Sequence, residues 1–403
     1  GGRALPGPET PPPDIGQKGQ LMDRVLHRVL EWITGATSVP AGEVRQVAGH
    51  GRTDSEVAVL AAVLEGTRLS HPCIVDRDVT GPDGLTRVTV QSAREVGAEL
   101  FITTTDAGTL DGFRIVASAA PAHSARELRE RLIQLDSLAA VTVHRQSAGV
   151  ARLVYDTDSI RAVASLAKVF VILSLLDAVV ERRVDLTERH IVRAADLAPA
   201  SAGLSAAHIG ASLTLAELAT LAALRSDNTA SDILTARLGI ESVRRTAMSC
   251  GVPVALAQQM RTASQTWSGL GTTADAVAHL AGDDYFLPLR AVTTAMHRIV
   301  ERPWSPWPPT GGAGLGWDAV RFKGGSAPGV LAGVWHLAHE SDSAAMAFAV
   351  NDDTPFGTIE EIHAFTAADT QGCDPAFLAM PLQSMEQRHD NARARCADRM
   401  AKR

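Results

Sequence analysis

Apolar residues recur at helical spacing near the start of the chain. Leu21, Val25, Leu26, Val29, Leu30 and Ile33 predict an amphipathic helix beginning at residue 17. A second apolar run, 57–64, also reads as helix. The period then changes. Over 85–91 apolar and polar positions alternate, with Val88 and Val90 on one face. Residues 99–104 and 113–117 are short β-rich runs, separated by the turn formers Asp106-Ala107-Gly108 and Asp111-Gly112. Helices followed by an antiparallel meander predict a small α+β domain over 17–130, behind a flexible Pro/Gly-rich arm at 1–16. Residues 125–135 predict a connecting helix.

A second unit is predicted over 138–378. Runs 140–143 and 151–155 flank the turn Gln146-Ser147-Ala148-Gly149 and predict a hairpin. Residues 165–180 are apolar almost all round, which predicts a helix buried in the middle of a domain. Helices are predicted over 213–225 and 229–238, with Gly239 as terminator, and a Trp/Pro/Gly loop over 304–316. Three β runs follow at 320–323, 330–337 and 344–350, then a helix at 359–368 and a charged tail at 379–403. The fold class expected is therefore α+β throughout.

Composition narrows the function classes. With 45% hydrophobic and 21% charged residues the chain is an ordinary globular protein, and a net charge of −7 argues against a nucleic-acid or anionic-membrane partner. No apolar run reaches membrane-spanning length. Cys73, Cys250, Cys373 and Cys396 are scattered and form no CxxC, so neither a disulfide framework nor a zinc site is expected; no metal and no cofactor are implied. His50 and His123 read as solvated or core histidines rather than pocket residues. A cytoplasmic location is the simpler expectation, with export after cleavage of an upstream signal as its alternative.

Of 38 basic residues only four are lysines: Lys18 and Lys402 near the termini, Lys168 and Lys323 in the interior. Arginine keeps its charge in a protein, whereas a buried lysine can lose its proton and act as a base. Lys168 ends Ser165-Leu166-Ala167-Lys168, a spacing that puts Ser165 and Lys168 on one helix face. A serine needs such a neighbouring base to become a nucleophile. Alone, the same four residues read as a serine N-cap followed by a helix-favouring lysine. Ser226-Asp227-Asn228 between two apolar helices also reads as a turn with an N-cap. Lys323-Gly324-Gly325-Ser326 reads as a glycine-rich strand start.

Together and in this order, the three motifs resemble the signature set of the serine β-lactamases and penicillin-binding proteins. The resemblance implies a class A β-lactamase-like fold, with an antiparallel sheet and an all-helical subdomain. It implies that Ser165 is the nucleophile, Lys168 and Lys323 are catalytic lysines, and Ser226 relays a proton to the leaving group. Asn228 would bind the acyl side chain and support Lys168, and Asp227 would hold the turn. The strand Gly324, Gly325, Ser326 would line the substrate, with the N–H groups of Ser165 and Ser326 as oxyanion hole. The first domain resembles the cystatin-like or steroid-isomerase-like superfamily in layout. The two-domain order resembles a β-lactamase-like protein of the clavulanic acid pathway.

Two departures shape the expected activity. Gly324 stands where the family has Thr or Ser, whose hydroxyl helps bind a substrate carboxylate. No Asp or Glu occurs between Glu241 and Asp275, where class A enzymes carry the glutamate that activates the deacylating water; Gln258, Gln259 and Gln265 lie there instead, and amides are not general bases at neutral pH. The expectation is an esterase-like serine hydrolase on a small ester, β-lactam or clavam, serving clavulanic acid biosynthesis, with weak or no β-lactamase activity. The alternatives are a D-alanyl-D-alanine carboxypeptidase, a class A-type β-lactamase, or a non-catalytic clavam-binding or isomerising protein; no partner protein is implied.

Overall fold

A computed structural model describes residues 15–368, apart from 50, 81–84, 106, 120–121, 123, 148, 267–278, 281, 308–317 and 340–341. The expected arm, most of it, and the charged tail lie outside the described residues, as do His50 and His123. The described chain divides into two compact units, the first taking 15–118 and 357–362, the second 119–356 and 363–368.

In the first unit, α1 (Ile15–Thr34), α2 (Ala41–Ala48) and α3 (Asp54–Leu69) precede an antiparallel sheet in the order β1 (Cys73–Thr80), β2 (Leu85–Gln91), β3 (Gly97–Thr104), β4 (Leu110–Ala117). The 3.6-residue stripe of α1 is buried at Leu26, Val29 and Ile33, and the alternating face of the sheet at Val88, Val90, Leu100 and Ile102. Thr53 and Glu56 form a reciprocal capping box that starts α3. Sequence patterning predicts no strand at β1. It is an edge strand whose residues 73–78 are exposed, so no apolar alternation marks it. The segment 357–362 returns to this unit because the buried Glu360 carboxylate accepts from Ser70 Oγ at 2.6 Å.

The second unit holds α4 (Ala125–Leu132), β5 (Ala140–Ser147), β6 (Val150–Tyr155), β7 (Ile160–Ala162), α5 (Lys168–Val180), β8 (Arg189–Ile191), β9 (Ser212–Thr214), α6 (Leu215–Leu224), α7 (Asn228–Leu238), α8 (Ile240–Ser249), α9 (Val254–Gln259), β10 (Phe286–Pro288), α10 (Leu289–Val300), β11 (Ala319–Ala327), β12 (Val330–His339), β13 (Asp342–Asn351) and most of α11 (Thr358–Ala368). Its main sheet is antiparallel in the order β11-β12-β13-β5-β6. The early hairpin thus pairs with the last strand, Ala140 opposite Ala349. On the inner face small residues Ala332, Ala345, Ala347 and Ala349 admit α10 closely, and α5 runs through the centre of the same core. No helix among the described residues is long and apolar enough to cross a membrane.

Candidate active site

The predicted single helix over 165–180 is two pieces. A 3₁₀ turn, Ala164–Ala167, carries Ser165, and α5 begins only at Lys168. The turn opens on Ala164, a non-glycine residue held at φ +47°, a left-handed conformation that costs of order 1–3 kcal/mol and persists only where the surroundings impose it. Ser165 remains partly exposed while its flanks Ala164 and Leu166 are buried.

Lys168 is 4% exposed. Its Nζ lies 2.9 Å from Ser165 Oγ, 2.7 Å from the Ser226 carbonyl oxygen, 2.6 Å from Asn228 Oδ1 and 3.3 Å from Ser226 Oγ. Burial brings this amine down to about 8, against the opposing charges of Asp227 and Asp232. Lys323, 2% exposed, donates to Ser226 Oγ at 2.8 Å and to the carbonyl of Gly324. Burial, and then the positive charge of Lys168, hold Lys323 well below the ordinary lysine value. Ser226 Oγ therefore sits between two lysine nitrogens, presented by a second left-handed residue, Ser226 itself at φ +54°.

Asp227 is fully buried and anchors that turn. Its Oδ1 accepts from Ala230 N at 2.7 Å as the cap of α7, and its Oδ2 accepts from Gly203 N and Leu204 N at 2.7 and 2.8 Å. The Asn228 amide donates to the Pro199 carbonyl at 3.0 Å, which fixes Oδ1 toward Lys168.

The β11 edge closes the site. A Cβ on Gly325 would stand 2.4 Å from the Val163 carbonyl oxygen and 3.1 Å from Ser165 N, so only glycine lets the strand approach the Ser165 turn. Gly324 faces the other way: a Cβ there would meet the Phe322 ring at 3.1 Å. The ring packs on Trp335 and Phe365 in an aromatic layer on the outer face. Ser326 is exposed at the end of the strand.

Two carboxylates were not legible as site residues. Asp232 accepts from Ala263 N, Ser264 N and Ser264 Oγ at 2.6, 2.9 and 2.5 Å. Asp284 accepts from Ala164 N at 2.9 Å. Gln258 and Gln259 are exposed on α9, and Gln265 caps Thr262 at 3.1 Å. Among the described residues no group of three or more His, Cys, Asp or Glu is arranged to hold a metal ion.

Residues 126–301 match the model of the β-lactamase enzyme family. This segment forms a class A β-lactamase-like domain. It contains Ser165, Lys168 and the Ser226 turn. Lys323 lies beyond the match and is tied to it by the hydrogen bond to Ser226. No curated protein is significantly similar in sequence. Among solved structures, the chain is similar to the β-lactamase from Sphaerobacter thermophilus at 21% identity, over 61% of this chain and 96% of that one, with a TM-score of 0.45. It is also similar to the putative class A β-lactamase PenP from Rhodopseudomonas palustris, at 20% identity over 60% and 97% with a TM-score of 0.45. PBP-A in its acyl-enzyme complex with penicillin G matches at 20% identity over 62% and 98%, with a TM-score of 0.43.

Proposed function

We propose that the β-lactamase-like domain is a serine acyl-enzyme hydrolase of esterase type, acting on a small ester or an activated β-lactam or clavam through Ser165. The observation that carries this reading is the hydrogen-bond arrangement at Lys168. A neutral amine has two hydrogens and one lone pair. The short contacts to the Ser226 carbonyl and Asn228 Oδ1, at 2.7 and 2.6 Å, use both hydrogens. The lone pair is left for the Ser165 hydroxyl, 2.9 Å away. With the amine brought down to about 8, a useful fraction is neutral near physiological pH.

In the proposed reaction Ser165 Oγ attacks the acyl carbonyl and its proton passes to Lys168 Nζ. Backbone N–H groups of Ser165 and Ser326 meet the oxyanion, a donor type worth about 10²–10³ in rate. Ser226 Oγ protonates the departing alcohol, or the departing β-lactam nitrogen, and is recharged from the lysines on either side of it. Water then attacks the acyl carbon, gives its proton to Lys168, and releases the acid and free Ser165.

Two features favour esters over penicillins. The space a hydroxyl-bearing side chain would take at position 324 is filled by Phe322. Asp232, near enough to act on Lys168 through its charge, is already occupied by three donors from 263–264. A place in clavulanic acid biosynthesis rests on the two-domain resemblance alone. The test is intact-protein mass spectrometry and kcat/KM with a small activated ester, a penicillin and a clavam. The expected result is ester turnover and acylation that disappear in Ser165→Ala, with slow or absent penicillin hydrolysis. Penicillin turnover near about 10⁸ M⁻¹s⁻¹ would make the protein a true β-lactamase. Undiminished ester turnover in Ser165→Ala would remove the nucleophile.

A further inference from the structure

Asp284 lies outside every motif, yet its carboxylate is hydrogen-bonded to the turn that carries Ser165. It is 6% exposed. Its Oδ1 accepts two backbone N–H bonds, from Tyr285 at 2.6 Å and from Ala164 at 2.9 Å. Its Oδ2 is buried and has no hydrogen-bond partner. The chain on either side of it is clamped to the same turn: Val163 N donates to the Tyr285 carbonyl at 3.0 Å, and Phe286 pairs with Ala162. The residue whose N–H it takes, Ala164, is the left-handed one directly before Ser165.

We propose that Asp284 is a positioning residue for Ser165: its carboxylate holds the strained Ala164 turn that aims the nucleophile at Lys168, and loss of that negative charge by protonation releases the turn. The inference rests on the reading of Ser165 as nucleophile. A carboxylate accepting N–H bonds makes charge-assisted bonds about twice as strong as neutral ones. An αL alanine needs such an external hold, because nothing in its own chemistry favours positive φ.

The charged and titratable groups around it do not supply that hold. Tyr285, next in the chain, is buried and raised by burial first, so it stays a neutral phenol; its hydroxyl donates to the Arg261 carbonyl at 3.0 Å. Arg261 lies 3.9 Å from Asp283 rather than on Asp284, and Asp232 is occupied at 263–264. Among the described residues no side-chain charge offsets the burial of Asp284, whose carboxyl is pushed up to about 6 and drawn back by the two backbone N–H bonds. The acid form is therefore accessible in mildly acidic solution.

The test is the rate of Ser165 acylation by a small activated ester, followed by intact mass between about pH 5 and 9, over the range where circular dichroism is unchanged. Two groups must be deprotonated, Lys168 with its value of about 8 and Asp284 with its value of about 6. The wild-type rate is expected to rise roughly tenfold per pH unit between these values and roughly a hundredfold per unit below the lower one. Asp284→Asn keeps an acceptor oxygen but cannot titrate. It is expected to lose the lower break and to acylate up to about a hundredfold more slowly at neutral pH, the scale set by a misplacement of about 1 Å. Ala164→Gly adopts positive φ without strain and should flatten the same break with Asp284 in place, so the idea stays testable if the Asn variant fails to fold. A break that survives in either folded variant, or a wild-type profile without one, overturns the proposal; a purely structural Asp284 would change melting but not the break. Ser165→Ala separates the two readings. If it labels like wild type the nucleophile assignment falls, whereas if it is inert and the break persists in Asp284→Asn only the present inference falls.

Discussion

Asn228 Oδ1 lies 2.6 Å from Lys168 Nζ, closer than Ser165 Oγ at 2.9 Å. The lysine is thus steered by a neutral acceptor, and its proton affinity is set mainly by burial. A negative acceptor at the same place would change that balance. Asn228→Asp is expected to raise Lys168 by about 1–3 units, the range for an opposite charge within a few ångströms. The ester kcat/KM profile should move to higher pH and the rate at neutral pH should fall at least about tenfold. An unshifted profile would show that Asn228 does not govern the lysine.

Lys168→Arg should be as damaging as Lys168→Ala. The guanidinium preserves the charge but does not give up its proton in a protein. On the proposed mechanism Lys168 acts as a neutral base, so kcat/KM of the wild type is expected to rise with pH through about 8. Ester turnover across that range in both variants is the measurement. Activity restored by arginine would make Lys168 an electrostatic partner, and Lys323 through Ser226 the better base.

Gly325 is constrained by backbone rather than by a mobile side chain. In Gly325→Ala the new methyl would stand 2.4 Å from the Val163 carbonyl oxygen, so the strand or the Ser165 turn must move. Overpacking of this kind costs about 1–3 kcal/mol. Displacement of the turn should slow acylation by about a hundredfold. Thermal denaturation and the labelling rate report the two effects separately. Wild-type labelling in the alanine variant would mean that β11 does not set the geometry of Ser165.

A histidine row between the inner face of the sheet and α10, buried at His336 and His297 and half-buried at His144, gives a prediction for stability. His336, 1% exposed with both ring nitrogens unpartnered, packs edge-on against His297 at 5.1 Å, and His297 lies 6.1 Å from His144. Burial lowers all three, and for His336 the charges of His297 and Arg321 lower it further. The fold therefore disfavours protonation of these rings, which gain proton affinity on unfolding. Their contribution is intact above about pH 6.5, the ordinary histidine value, and is lost as pH falls below it, by up to about 1.4 kcal/mol per unit for each proton. Urea midpoints between pH 7 and 5 should fall less steeply in His336→Leu than in the wild type. Parallel slopes would mean that His336 is already protonated in the fold.

The amino-acid sequence alone determined the local parts of this protein. The stripe of α1, the alternation of β2 and the almost wholly apolar α5 repeat within one or two turns, so near neighbours decide them. Ser165 and Lys168 belong to the same class, since three residues of helical chain bring them within 2.9 Å. The tertiary structure decided what depends on closing long loops. Ser226 Oγ meets Lys323 across 97 residues, and its carbonyl meets Lys168 across 58. Strand β1 carries no periodic signal because pairing with β2, not burial, makes it a strand. Which way Gly324 and Gly325 face follows from the register of β11 on β12, and one step along a strand reverses it. Asp284 belongs to none of the sequence motifs. Only the pairing of Phe286 with Ala162, 124 residues earlier, carries its carboxylate under Ala164, the residue it holds from 120 positions away.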